Sequence, residues 1–106
     1  MKNEIILTDN FYEDVKNVSD YIKDTLMNAA AAKTLMSDVR AKIAKLADFP
    51  LACPLCDTYR LANLGIRKLV VNNYVVLYSV TEKDEYCDIN ILHLVYGGRD
   101  YSKMRI

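Results

Sequence analysis

The chain has no tryptophan, a single histidine, two prolines and three glycines in its 106 residues. So little glycine and proline excludes collagen-like and low-complexity chains. With 52% hydrophobic residues, a mainly disordered chain is excluded as well. No run of about 18 apolar residues occurs, so no membrane span is expected. The apolar stretch Ile5-Ile6-Leu7 is too short for the core of a signal peptide. A cytoplasmic location is therefore the expectation. Net charge is also missing, because 14 Lys and Arg balance 14 Asp and Glu. Proteins that hold nucleic acid by neutralising phosphates usually carry a basic excess, so any basic surface here must be local. Cysteine is scarce and odd in number: Cys53, Cys56 and Cys87 fit a reducing compartment better than a disulfide framework. The length suits one domain over residues 1–106.

What is present has clear periodicity. Glu4 to Leu7 reads as a short strand, and Thr8 and Asp9 supply N-cap chemistry after it. Phe11, Val15, Val18, Ile22 and Leu26 follow at intervals of 4, 3, 4 and 4, which places them on one face of a helix. Asn28 marks a break. Ala29 to Ala32 then opens a second helix, whose apolar stripe is Ala32, Leu35, Met36, Val39, Ile43, Leu46 and Ala47. Pro50 disfavours helix at Phe49 and closes it. Two amphipathic helices joined by a short connection predict an antiparallel helical hairpin. Residues 51–64 read as a loop.

Two strands follow, roughly 66–71 and 74–81, folded at Asn72-Asn73, since asparagine tolerates the positive φ of a tight hairpin turn. Residues 82–85 are a charged turn, and Cys87 to Val95 is a last strand. The predicted class is α+β in the order β-α-α-β-β-β. The helical hairpin would pack on one face of a mainly antiparallel sheet, leaving the other face as the working surface. Residues 96–106 read as a flexible basic tail of the same domain, in which Gly97 and Gly98 are adjacent and Arg99, Lys103 and Arg105 outweigh Asp100.

Taken in order, these elements resemble the RelE/ParE superfamily of toxins from bacterial type II toxin–antitoxin systems. The resemblance rests on Ile5-Ile6-Leu7-Thr8 followed by a helix, on Tyr21-Ile22 late in that helix, and on Leu46-Ala-Asp-Phe-Pro50. Gly65-Ile-Arg67-Lys-Leu-Val, Tyr74-Val-Val-Leu-Tyr78 and Gly98-Arg99-Asp100 complete it. It covers nearly the whole chain. RelE-like members usually place an arginine directly after the tyrosine that opens the middle strand, where this chain has Val75, and they tend to be strongly basic. The resemblance is therefore closer to the ParE-like branch, although Tyr96 stands where those sequences often carry histidine. It implies a growth-inhibiting toxin neutralised by a cognate antitoxin protein, with DNA gyrase as the target. A ribosome-dependent mRNA endoribonuclease and a member that only binds its antitoxin are the alternatives. No cofactor is implied.

Arg67, Tyr78, Tyr96 and Arg99 are the candidate catalytic set. Tyr74, Asp100, Lys103 and Arg105 join them as candidates for binding target or antitoxin. Cleavage of RNA through the ribose 2′-hydroxyl needs a base, a cation for the developing charge and an acid for the leaving oxygen. Arginine and tyrosine fill the last two roles. His93 is the only histidine, and strand parity groups it with Ile89, Ile91 and Val95 in a packed row. Tyr74 and Tyr78 share a face with Val76 and Val80, where tyrosines commonly pack with a satisfied hydroxyl. Arg67 shares a face with Leu69 and Val71. It must pair with a carboxylate, such as Asp100 or an acid of the antitoxin, or face a ligand. Cys53-Pro-Leu-Cys56 has the spacing of half a zinc site, but no second pair follows, so no metal is expected.

Overall fold

A computed structural model describes residues 3–106. Strand β1 (Glu4–Leu7) leads into helix α1 (Asp9–Asp20), which Thr8 caps by accepting the Phe11 N–H on its hydroxyl. Such a cap is worth about 1 kcal/mol. The helix continues as a π-helical turn, Tyr21–Thr25. Asn28 then caps helix α2 (Ala29–Lys45) through the Ala31 N–H. After a short helix α3 (Tyr59–Asn63) come strands β2 (Arg67–Val71), β3 (Tyr74–Glu82) and β4 (Cys87–Tyr96).

The four strands form one sheet in the order β1-β4-β3-β2. Strand β1 lies parallel to β4, and the other neighbours are antiparallel. The class and element order expected from the sequence are thus observed. At the hairpin turn, only Asn72 of the asparagine pair takes a positive φ, at 55°.

One sheet face carries Val71, Val76, Tyr78, Ile89, Ile91 and Leu94 against Phe11, Ile22, Leu35, Val39, Ile43 and Leu46 of the helical hairpin. The expectation that the opposite face would be open is overturned. Val75, Leu77 and Val95 are buried there beneath Cys56, Leu61 and Ile66, with Tyr101 and Met104 of the tail packed alongside. Residues 51–64 are likewise more than a loop. They hold α3, whose Leu61 is fully buried, and their Leu55 bridges Arg67 at the start of β2. Burying Leu61 on a second core gives this short segment a reason to be helical that its local sequence does not announce.

Two irregularities reset the periodicities. The π-turn adds a residue to its helical turn, so the α1 stripe ends at buried Ile22 and Leu26 is left 55% exposed, off the predicted face. In β4, Leu77 pairs with His93 but Tyr78 pairs with Ile91, so Leu92 is an inserted bulge residue. Parity therefore flips after Ile91. Leu94 joins Ile89 and Ile91 on the helix-facing side, while Val95 packs on the opposite side. His93, opposite Leu77, does not belong to the Ile89–Ile91 row.

Candidate functional site

The hairpin β2–β3 sets Arg67 directly opposite Tyr78. Both are closed onto backbone carbonyls of the segment that follows α2. Arg67 Nη1 donates to the Cys53 carbonyl at 2.7 Å, and the Tyr78 hydroxyl donates to the Pro50 carbonyl at 3.0 Å. Tyr78 has no exposed surface. Burial, with Cys53 beside it, pushes its hydroxyl far above the ordinary tyrosine range. The expected Arg67–Asp100 pair is not formed. Asp100 is exposed and accepts the Ser102 N–H at 3.0 Å, and hydrogen bonding from Ser102 holds its carboxyl below the usual range. A carboxylate partner is not needed, because a neutral carbonyl at 2.7 Å satisfies part of the half-buried guanidinium.

His93 is tied as well. Its Nδ1 lies 2.8 Å from Asp14 Oδ2 and its Nε2 lies 3.2 Å from the Arg105 carbonyl. The same Asp14 oxygen accepts the Leu94 N–H at 3.0 Å. This contact has a structural cause. Strand β1 ends at Leu7, so β4 beyond Ile91 presents an open edge. Thr8 takes up Ile91 and Leu92 carbonyls with its hydroxyl, and Asp14 takes up the Leu94 N–H. Sequence reading singled out only the apolar stripe of this helix and missed the role of Asp14. A helical wheel does not reveal that the neighbouring strand lacks a partner.

At the other end of the sheet the same residue types stand open. Tyr74 pairs with Tyr96 across β3 and β4, and their rings meet edge to face with centroids 5.7 Å apart and planes at 79°. Tyr96 is 55% exposed. Arg99, in the turn beyond it, is exposed and has no carboxylate partner among the described residues. Glycine is required here for Tyr96 to lie where it does, because a Cβ on Gly98 would stand 2.8 Å from Tyr96 Cε2. Tyr74, Tyr96 and Arg99 line a groove of about 680 Å³ whose far wall is the end of α1 and its π-turn, including Asn17, Tyr21 and Leu26. Partial burial raises the Tyr74 hydroxyl above its ordinary range. The groove thus offers phenols, a guanidinium, the Asp14 carboxylate and apolar surface.

Tyr21 and Leu26 were not among the residues singled out for this site. The signal that would have found them is the failure of helical spacing after Ile22, which is visible only once the π-turn is known. Lys103 and Arg105 are exposed on the tail and do not line this groove. Among the described residues no three metal-ligating side chains converge, and Cys53, Cys56 and Cys87 are free thiols.

A helical hairpin on one face of a four-stranded sheet, with β1 parallel and the rest antiparallel, defines a small α+β domain of the RelE/ParE toxin type. The family model described as the ParE toxin of the type II toxin–antitoxin system parDE matches residues 5–101, and the chain belongs to that family. Among solved structures, a chain from the chromosomal ParDE TA system from P. aeruginosa is similar, with a TM-score of 0.70 over 89% of this chain and 95% of that one. The identity is 15%, so this likeness speaks for the fold. No curated protein matches the sequence.

Proposed function

We propose that this type II toxin arrests bacterial growth by binding a cytoplasmic target, DNA gyrase, through the Tyr74–Tyr96–Arg99 end of its sheet. A cognate antitoxin neutralises it. The observation that carries the reading is the state of the candidate polar groups. Arg67, Tyr78 and His93 are committed to backbone carbonyls or to Asp14, whereas Tyr96 and Arg99 are exposed on a groove. Tyr96 and Arg99 supply an aromatic anchor and a cation, a pairing common where binding energy concentrates in protein interfaces. Asp14, which also lines the groove, is taken up by His93 and the Leu94 N–H, and this favours binding over RNA cleavage.

The antitoxin reading is supported by a second surface. Ile5, Leu7, Phe11, Val15, Met36 and Val39 line an apolar groove of about 400 Å³ between β1, α1 and α2, with Arg40 also lining it. Its chemistry suits an amphipathic helix that inserts apolar residues and meets Arg40 with an acidic one. The deciding experiment compares purified toxin in a gyrase supercoiling assay with mRNA integrity in cells expressing it. Blocked supercoiling with intact mRNA is expected. Codon-dependent mRNA cleavage with normal supercoiling would overturn the proposal.

A further inference from the structure

The chain beyond Tyr96 is held by its backbone carbonyls and by the packing of Tyr101 and Met104, and not by its cations. Arg60 on α3 donates from Nε and Nη2 to the Ser102 carbonyl at 3.2 and 3.0 Å, and Nη2 also reaches the Met104 carbonyl. His93 Nε2 faces the next carbonyl, that of Arg105, at 3.2 Å. Tyr101 and Met104 turn inward onto the second core, while Arg99, Lys103 and Arg105 remain exposed.

Two features mark these contacts as built. Arg60 is exposed and forms no ion pair among the described residues, yet its planar fork is spent on neutral carbonyls. The nearby Asp57 is instead paired with Lys68 at 3.0 Å. Charge-assisted bonds from a rigid fork fix a backbone more tightly than a lysine ammonium would. His93 lies between two oxygens, Asp14 Oδ2 at Nδ1 and the Arg105 carbonyl at Nε2, so it links α1 to the tail. The positions of the tail's cations are thus set before any partner arrives, so their ordering cost falls on folding and not on binding.

We infer that Arg60 and His93 are positioning residues: they pin the tail by its carbonyls so that Arg99, Lys103 and Arg105 face an acidic patch of the target as a preset array. This rests on the toxin reading above.

Trypsin tests the pinning directly, because its cleavage sites include the bonds after Arg99 and Lys103. With tail opening as the step that admits the protease, cleavage of the intact wild-type chain is expected to be slow, and Arg60→Ala or His93→Gln should each speed it by about tenfold or more. Arg60→Lys keeps the charge but loses the fork, so it should restore only part of the protection. Arg60 is a surface residue, so its variants should keep the fold, and a thermal melt checks this. The same variants should need several times more expression than wild type to arrest growth. A wild-type tail cut as fast as the variants would overturn the inference. So would a released tail with undiminished growth arrest. If wild-type toxin arrests nothing, the toxin reading fails, while the cleavage rates still decide whether the tail is pinned.

Discussion

One sheet carries two arginine–tyrosine pairs, and they have opposite fates. At the β2–β3 end, Arg67 and Tyr78 are turned inward and bonded to the carbonyls of Cys53 and Pro50. At the β3–β4 end, Tyr96 and Arg99 stand exposed on a groove. Residue type does not separate the pairs. The difference lies in what the chain lays over each. The segment after α2 brings free carbonyls across Arg67 and Tyr78, so a closed end holds the fold. Nothing among the described residues crosses Tyr96, so an open end is available to a partner.

Substitution should break this comparison in a graded way. Tyr78→Ala, which empties a fully buried site, should destabilise the fold by about 3–5 kcal/mol in denaturant unfolding. Arg67→Ala, which leaves the Cys53 carbonyl without its charged donor, should cost about 1.5–3 kcal/mol. Any loss of growth arrest by Arg67→Ala should then follow the loss of folded protein, as quantified by soluble yield.

The Tyr78 hydroxyl also predicts a pH dependence. Its folded value is raised by burial, so the folded state resists ionisation that the unfolded chain undergoes near pH 10. Stability from this group is kept below about pH 10 and declines as pH rises toward the folded value. A melting-temperature series from neutral to alkaline pH should show the decline, and Tyr78→Phe should flatten it. Smaller effects on stability belong to the open surfaces. Tyr12→Glu, at an exposed residue lining the apolar groove, should leave the melting temperature nearly unchanged and weaken antitoxin binding by about tenfold or more in titration calorimetry. If antitoxin affinity is unaffected, the helix-groove assignment is wrong. The smallest stability change, within about 0.5 kcal/mol, is expected for Arg99→Ala.

Much of the closed end was legible in the sequence. The apolar run after Asn73 gave β3, asparagine gave the hairpin turn, and the apolar stripes gave both helices, with the Thr8 cap and the break at Asn28 but not the cap that Asn28 provides. These are local signals. The inward face of Arg67 also followed from its sharing parity with Leu69 and Val71. Its partner did not, because a backbone carbonyl from the 51–64 segment has no signature in composition. The face of His93 was misread for a similar reason. The Leu92 bulge flips parity in the middle of β4, and a bulge in an apolar run leaves no mark on the residues themselves. Leu61 and Arg60 were passed over because α3 is only five residues long, too short for a helical period to show, and the second core that holds it is not visible in its local sequence. At the open end, Tyr96 and Arg99 were visible as a motif, whereas Tyr21 and Leu26 came into view only with the π-turn.

On the proposed function, the exposed end acts and the closed end only holds. Growth arrest by Arg99→Glu tests it most directly, with the melting temperature and soluble level of the variant measured alongside. A folded protein with wild-type stability that no longer arrests growth is expected. Full arrest by a folded Arg99→Glu protein would contradict it, and unfolding would show that Arg99 belongs to the fold and not to the site.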